Sequence, residues 1–187
     1  MFLGDGSFAN KYQIAVSFNH RCEDDYAEYI CKLVLRLFGL DSRIRVRKQY
    51  GSAEVVVNSV ALVDYLRELV EIRGGGKKKD FRLPPWLMRG RRCKIGFVRG
   101  LFDSEGCVYK HTYYSNGKCY SYIKIAVTNY CGRILDAFQG ALQSLGIESV
   151  RYQNRVHIYS AQDAKKFFRL IGSNNSKNKI RFRKFSH

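Results

Sequence analysis

The chain has 187 residues, of which 45% are apolar and 14% are aromatic, and this composition excludes a wholly disordered protein. The 33 Lys and Arg residues far outnumber the 16 Asp and Glu residues, so the net charge is +17. This excess predicts a polyanionic partner, with nucleic acid first and an anionic membrane surface second. No apolar run is long enough to span a membrane and no signal peptide opens the chain, so we expect a cytoplasmic protein without membrane spans.

The cysteines indicate a reducing environment. The six of them form no C-x-x-C pair, and the four histidines do not supply zinc-ligand spacing beside them. A chain of this size needs no disulfide framework, and closed zinc sites need closely spaced ligand pairs. We therefore expect reduced, mostly buried thiols and no structural zinc.

Breaker residues divide the chain near its middle. Three glycines at residues 74–76 and three lysines at residues 77–79 predict a flexible linker, and Pro84-Pro85 then opens a helix. We expect an N-terminal half at residues 1–73, a linker at 74–92 and a C-terminal half at 93–187.

The two halves repeat one another. Patterns at residues 14–17, 37–40 and 57–59 return at residues 125–128, 144–147 and 158–160, and Asp5-Gly6 returns as Glu105-Gly106. Each half reads helix, hairpin, helix, hairpin, helix. The predicted fold class is therefore α+β, with two pseudo-symmetric αββαββα units whose sheets are antiparallel.

The second half shows these elements most clearly. Residues 94–104 predict a helix with a stripe of small side chains at Gly96, Gly100 and Ser104. Strands at 107–114 and 118–128 flank an Asn-Gly turn, a helix follows at 131–145, a hairpin at 150–159 and a last helix at 161–171. The first half follows the same order, with a very short first hairpin around residues 8–11.

Strand alternation sorts the side chains between a core face and an outer face. The residues expected on the core face are Ile14, Val16, Ile44, Val46, Ile123, Ile125 and Val127. The outward residues that we expect to contact DNA are Lys11, Arg43, Arg45, Arg47, Lys110, Lys118, Tyr120, Tyr122, Arg151, Gln153, Arg155 and His157.

An outer face of this composition suits a duplex groove, because Arg can bond guanine, Gln and Asn can bond adenine, and Lys can bond phosphate. The alternative is an ordinary solvated face. Such a face normally mixes acids with bases, and these strands contain almost no acids. The basic tail at residues 177–184 is either an arm that grips phosphates or a mostly solvated end.

Two acids occupy equivalent positions in the repeat. Asp5 and Glu105 each follow an apolar helical stretch and precede a glycine, so two facing helices would bring their carboxylates together. Adjacent carboxylates repel unless they are protonated or bridged by divalent cations, and oxygen ligands favour Mg²⁺. Metal ions beside a DNA-reading sheet point to hydrolysis of phosphodiesters by metal-activated water. The alternative is that either acid caps the following turn.

These residues resemble a known family. Glu105 ends the run VRGLFDSEG at residues 98–106, which resembles a LAGLIDADG motif, and MFLGDGS at residues 1–7 is similar to the end of a first copy. Together with Pro84-Pro85-Trp86 and the repeated element order, the chain resembles single-chain LAGLIDADG homing endonucleases, especially those encoded in archaeal rRNA introns.

The resemblance implies a monomer whose motif helices pack together and whose sheets form a DNA-binding saddle. It implies Mg²⁺-dependent cleavage of both strands across the minor groove of a long, nearly asymmetric target, such as an rRNA gene; Mn²⁺ or Ca²⁺ could occupy the same sites. The implied metal ligands are Asp5, Glu105 and the backbone carbonyls of Gly4 and Ser104. The candidates around the attacking waters are Asn129, Asn19, His20, Lys124 and Gln13.

The N-terminus leaves two readings open. Only four residues precede Asp5, so either the chain starts inside the natural one or the first motif helix is degenerate. The retained acids favour a nuclease, whereas a short first helix favours a catalytically silent DNA- or RNA-binding protein such as an intron maturase. A basic ribosomal protein would not explain the paired acids.

Overall fold

The computed structural model describes residues 2–70 and 83–185. The first half contains α1 (Phe2–Asp5), β1 (Gly6–Asn10), β2 (Gln13–Asn19), α2 (Asp24–Phe38), β3 (Arg43–Arg47), β4 (Ser52–Asn58) and α3 (Val60–Val70). The second contains α4 (Arg91–Glu105), β5 (Gly106–Ser115), β6 (Lys118–Thr128), α5 (Gly132–Ser144), β7 (Val150–Tyr152), β8 (Arg155–Ile158), α6 (Ala161–Leu170) and α7 (Ser176–Phe185). Short 3-10 helices lie at Lys48–Tyr50 and Pro85–Met88. The glycine and lysine triplets of the predicted linker lie outside the described residues.

The two halves share one topology. Each sheet is antiparallel and four-stranded, with the order β1-β2-β4-β3 in the first half and β5-β6-β8-β7 in the second. The predicted α+β class and the repeated αββαββα order are thereby confirmed. Gly6 pairs with Val16 and Gly106 with Val127, so each strand that follows a motif helix starts in the same register.

The first hairpin of the second half is much longer than that of the first. β5 and β6 have 10 and 11 residues, against 5 and 7 in β1 and β2. They are joined by Asn116 and Gly117, whose φ angles of +50° and +73° give the two-residue turn that the Asn-Gly pair predicts. The pairing of β6 with β8 covers only Ile125 to Thr128, so the rest of this hairpin extends beyond the sheet.

Each sheet packs one face against its helices. Ile14, Val16 and Val55 form the first core with α2 and α3, and Ile123, Ile125 and Val127 join α4, α5 and α6 in the second. The largest fully buried side chains are concentrated in the second half. Burial of each such Phe, Leu or Ile stabilises the fold by about 1.5–3 kcal/mol.

The predicted burial of β3 is wrong. Ile44 and Val46 stand opposite Val55 and Ala53 and therefore lie on the core face, but 44% and 37% of their surface remains exposed. The physical reason is position, because β3 is the outermost strand and α2 and α3 pack on the central strands β4 and β2.

The cysteines are free, as expected, but the expectation that most are buried is wrong. Cys22 and Cys119 are exposed and the other four are half-buried. None of the helices in the two described ranges has the length and apolar character needed to cross a membrane.

The basic tail forms a helix, α7, that packs on the molecule along one side and is exposed along the other. The ring of Phe182 in α7 stacks on that of Phe168 in α6, with centroids 3.8 Å apart, and Asn178 is fully buried. Helix α7 contacts β5 and β6, and its start reaches the first half of the molecule. Arg181, Arg183 and Lys184 are exposed, so phosphate binding by these residues stays a prediction.

Candidate active site

The site lies where α1 and α4 meet at their C-terminal ends. A Cβ atom at Gly4 would collide with Ser104 Oγ and would lie 2.8 Å from Glu105 Cγ, so the two backbones approach as closely as glycine allows. Helix α1 contacts α4 although it has only four residues. Of the small residues predicted from the sequence, Gly4 and Ser104 lie at this contact, whereas a Cβ atom at Gly96 would meet nothing within 4 Å.

The two predicted acids interact across this contact. Burial, followed by the negative charges of Glu105 and Glu23, raises the pKa of Asp5 to about 7. Burial also raises the pKa of Glu105. Both carboxylates are therefore partly desolvated, and the charge of Glu105 acts on Asp5, so a bound cation would stabilise their charged forms.

Asn129 is the predicted polar partner that the structure brings to this pair. Its Nδ2 lies 3.4 Å from Glu105 Oε1, and its Oδ1 accepts a hydrogen bond of 2.9 Å from the N–H of Cys131. Only 9% of Asn129 is exposed. The amide is thus fixed at the start of α5 with its donor directed to the Glu105 carboxylate.

Asn19 and His20 are placed differently. Asn19 Oδ1 accepts from the N–H of Arg21 at 2.9 Å, and His20 Nδ1 lies 2.8 Å from Asp24 Oδ1. Asn19 ends β2 and His20 lies in the turn that follows it, and neither side chain hydrogen-bonds Asp5 within the described part of the chain.

Lys124 and Gln13 flank the acids at a distance. Both lie on the outer face of their strands. Lys124 is three residues along β6 from Val127, the partner of Gly106, and Gln13 is three residues along β2 from Val16, the partner of Gly6. Three residues of strand span about 10 Å. Lys124 Nζ sits 4.9 Å from the ring centroid of Tyr159, and Gln13 Nε2 donates to Asn58 Oδ1 at 2.7 Å. The contacts of these two side chains are with Tyr159 and Asn58 and not with the carboxylates.

A third acid, Glu23, was missed by sequence reasoning. It is 7% exposed and accepts hydrogen bonds from the N–H of Asn19 at 2.9 Å, from Asn175 Nδ2 at 2.6 Å and from Lys177 Nζ at 2.6 Å. Burial opposes ionisation of Glu23, but these bonds outweigh it and lower its pKa. We call Glu23, Asn175 and Lys177 the latch, because the contact joins the first half of the chain to the second.

Asp103 was also missed, although it lies only two residues before Glu105 in the run at residues 98–106. It is 2% exposed and accepts from Ser173 Oγ at 2.5 Å and from the N–H of Asn174 at 3.0 Å. Burial raises the pKa of Asp103 against the lowering effect of these bonds. Its backbone carbonyl accepts from Asn175 Nδ2 at 3.0 Å, which ties the latch to α4.

The oxygen atoms at this junction suit a hard divalent cation. The last carbonyl groups of a helix lack a hydrogen-bond donor in the following turn of that helix. At the end of α4, Phe102 O accepts from the N–H of Gly106 and from Asn178 Nδ2, and Asp103 O accepts from Asn175 Nδ2. The carbonyl group of Ser104 is the next one along the helix. The described residues contain no group of three or more His, Cys, Asp or Glu that could hold a metal. Mg²⁺ is usually bound by one or two carboxylates, with water and substrate phosphate completing its shell, so the Asp5 and Glu105 pair fits it.

The first sheet presents its arginines as predicted. Arg43, Arg45 and Arg47 lie on the outer face and are exposed. Glu54 on the same face pairs with two of them, at 3.8 Å to Arg45 Nη1 and 3.0 Å to Arg47 Nη2. Lys11 lies in the exposed turn between β1 and β2 instead of on a strand.

The second sheet requires three corrections. Arg151 stands opposite the buried Val156 on the core face, and its guanidinium pairs with Asp136 of α5. Gln153 lies in the β7–β8 turn with φ +49°. Lys110 stands opposite Ile123 and shares the core face of the long hairpin. Arg151 and Lys110 lie on the core face instead of the predicted outer face, because the register of β7 pairs Arg151 with Val156 and that of β5 pairs Lys110 with Ile123.

The remaining outward residues of the second sheet are where alternation places them. Lys118, Tyr120, Tyr122 and Lys124 share one face of β6, opposite Ser115, Tyr113, His111 and Tyr109 of β5. Arg155 and His157 continue this face on β8, opposite Tyr152 and Val150 of β7. Burial, followed by the positive charges of Arg155 and Lys124, lowers the pKa of His157.

Comparison with known proteins agrees with this architecture. Residues 92–172 match the family model of a LAGLIDADG-like domain, which spans α4 to α6. The structure is similar to mesophilic variants of the homing endonuclease I-DmoI, with 19% identity, a TM-score of 0.61 and coverage of 91% of this chain and 90% of that one. The fold is the LAGLIDADG fold.

Two further structures show the same similarity. I-DmoI in complex with DNA and Mn matches with 18% identity and a TM-score of 0.58, over 86% of this chain and 81% of that one. The N-terminal LAGLIDADG domain of DUF199/WhiA matches with 14% identity and a TM-score of 0.59, over 91% and 76%. No protein of curated function is significantly similar to the chain in sequence.

Proposed function

We propose that this LAGLIDADG protein is a site-specific double-strand DNA endonuclease that acts in intron homing. The observation that carries the proposal is the half-buried pair of Asp5 and Glu105 at the close contact of α1 with α4, between two sheets with basic outer faces. A protein that only binds DNA gains nothing from carboxylates held against phosphates. The proposed target is long and nearly asymmetric, such as an rRNA gene of the archaeal intron type, and the two strands are cut across its minor groove.

Divalent metal ions, with Mg²⁺ as the proposed resident, are held by the carboxylates of Asp5 and Glu105 and by the carbonyls of Gly4 and Ser104. A bound metal ion lowers the pKa of water and stabilises the charge of a reacting phosphate. I-DmoI has been solved with DNA together with Mn, Ca or Mg, which supports the use of a divalent ion.

The surrounding side chains take supporting roles in this proposal. Asn129 orients the Glu105 carboxylate through its amide, and Asn19 and His20 occupy the corresponding strand end near Asp5. Lys124 and Gln13 meet phosphates or waters on either side of the acids. The duplex lies across both outer faces, which form the saddle.

We propose that the protein acts as a monomer, because both halves of the site come from one chain. Its two sheets contact the two half-sites of the DNA, with Arg43, Arg45, Arg47 and Lys11 on one side and Lys118, Tyr120, Tyr122, Arg155 and His157 on the other. A cytoplasmic location is part of the same proposal.

The second candidate function is that of a catalytically silent DNA- or RNA-binding protein on the same scaffold, such as an intron maturase. The fold is shared with the N-terminal LAGLIDADG domain of DUF199/WhiA as well as with the homing endonuclease I-DmoI, so the fold does not by itself require nuclease activity.

One experiment separates the two functions. The protein is incubated with intron-less rRNA-gene DNA in Mg²⁺ or in chelator, and the products are resolved for a discrete double-strand cut. The nuclease cuts in Mg²⁺ only, and Asp5→Asn and Glu105→Gln abolish the cut while duplex binding survives. Binding without any metal-dependent cut in the wild type supports the silent binder.

A further inference from the structure

The outer faces of the two sheets differ in chemistry. On the first sheet the exposed groups are guanidinium and amide groups held by neighbours. Arg47 Nη2 lies 3.0 Å from Glu54 Oε1, and Arg45 Nη2 lies 3.5 Å from Gln13 Oε1. These contacts direct the forked donors before any ligand binds.

On the second sheet the corresponding surface is aromatic. The rings of Tyr113 and Tyr120 stand opposite each other on β5 and β6 and stack at 5.3 Å and 19°. Tyr122 stacks diagonally on Tyr113 at 6.0 Å and 21°, and the ring of His111 lies 6.0 Å from Tyr113. We call these four residues the aromatic ladder.

The aromatic ladder lies in solvent, outside the core. It occupies the part of the hairpin that extends beyond β8, and Tyr113 and Tyr122 are 42% and 39% exposed. An exposed aromatic patch of this kind marks a binding surface. Strands β5 to β8 contain no Asp or Glu, and Lys118 and Lys124 flank the ladder, so its charge complements a phosphate backbone.

We infer that the aromatic ladder contacts thymine methyl groups in the major groove, whereas the arginines of the first sheet bond guanine. This inference rests on the proposed function. Thymine is the base that presents a methyl group in that groove, and guanine presents the two acceptors that an Arg fork matches. Side chains stand roughly perpendicular to a sheet, so rings stacked on one another point their edges and hydroxyl groups at the DNA.

The two half-sites of the target are therefore chemically different. The half-site under the second sheet is rich in A·T pairs and is recognised by apolar contact and shape. The half-site under the first sheet contains guanines that are recognised by hydrogen bonds.

The test begins with selection of bound duplexes from a random pool in chelator, followed by affinity measurements on the selected sequence. Replacing thymine by deoxyuridine removes the methyl group and keeps the hydrogen-bonding edge. Each contacted thymine replaced in the second half-site is expected to weaken binding about threefold to fivefold, from the loss of one buried methyl group. Replacing guanine by 7-deazaguanine is expected to weaken binding in the first half-site only.

Matched variants assign these effects to residues. Tyr120→Ala abolishes the response to deoxyuridine, Tyr120→Phe retains it because the ring remains, and Arg45→Ala removes only the response to 7-deazaguanine. The nucleotide replacements on the wild-type protein give a result even if a variant fails to fold. Selection of no sequence overturns the proposed function and this inference with it. A selected sequence that binds equally well with deoxyuridine overturns this inference alone.

Discussion

Lys177 Nζ, in the last helix, lies 2.6 Å from Oε1 of Glu23, which precedes the second helix, so a half-buried ion pair joins the two halves of the chain. The negative charge of Glu23 also acts on Asp5, where it helps to raise the pKa. The latch is therefore both a tie between the halves and a part of the electrostatic surroundings of the first acid.

Removal of Lys177 is expected to destabilise the fold. Lys177→Met leaves the buried Glu23 carboxylate without its cation, and we expect a loss of about 2–3 kcal/mol, because the pair is partly exposed on the lysine side. Urea unfolding measures this loss. Lys184→Met, on the exposed face of the same helix, is the control and should change stability by less than about 0.5 kcal/mol. Equal effects of the two substitutions would contradict the role of the latch.

The ionisation of Asp5 predicts an unusual pH dependence of the metal-free protein. Its folded pKa of about 7 lies above the unfolded value of 3.8, so its contribution to stability is fully present below about pH 4 and is lost as the pH rises through 7. Asp5→Asn should therefore gain stability relative to the wild type on going from pH 5 to pH 8 in chelator, by roughly 2–4 kcal/mol. Thermal or urea unfolding of both proteins at each pH gives the difference.

Asp41→Asn serves as the control for this pH series, because Asp41 is exposed. If Asp5→Asn changes the stability between pH 5 and pH 8 no more than this control does, the Asp5 carboxylate is not desolvated beside Glu105.

Two glycine substitutions should have opposite effects. Gly4→Ala places a methyl group against Ser104 and Glu105 and should cost about 1–3 kcal/mol by forcing the motif helices apart. It should also abolish metal-dependent cleavage. Gly96→Ala meets nothing within 4 Å in the interior of α4 and should stabilise the protein by about 0.5–1 kcal/mol. Unfolding and cleavage measurements compare the two variants. If Gly4→Ala is tolerated as well as Gly96→Ala, α1 and α4 are not in close contact at Gly4.

Arg43 and Arg151 should respond differently when DNA binding is measured. Arg43→Ala removes a guanidinium group from the outer face. If Arg43 bonds a base, duplex binding should weaken by about 1–3 kcal/mol. If Arg43 bonds a phosphate, the slope of log affinity against log salt concentration (the salt slope) should fall by about one. Arg151→Ala breaks the contacts with Asp136 and the Gly132 carbonyl and should lower stability while leaving affinity and salt slope unchanged. Anisotropy titrations over a range of salt concentrations make the comparison. A loss of affinity in Arg151→Ala would restore it to the DNA-binding surface.

Much of the fold was predictable because it depends on local patterns. The Asn-Gly turn, the alternation of β6 and the helical period of the motif are each set by neighbouring residues, and the structure has all three. The errors arose where position in the sheet matters more than local pattern. Ile44 and Val46 have core-face alternation on an edge strand, and Arg151 depends on the register of a three-residue strand.

By itself, the sequence determined the repeated unit, the paired motif acids and the basic character of the protein, because periodicity and charge are properties of the chain alone. The tertiary structure decided the rest of the acid environment. Asn175 and Lys177 reach Glu23 across more than 150 residues of sequence, and a hydrogen bond of 2.6 Å depends on where two helices begin in space. It also decided that the aromatic ladder forms, since stacking of Tyr113 on Tyr120 and Tyr122 requires the register of two paired strands.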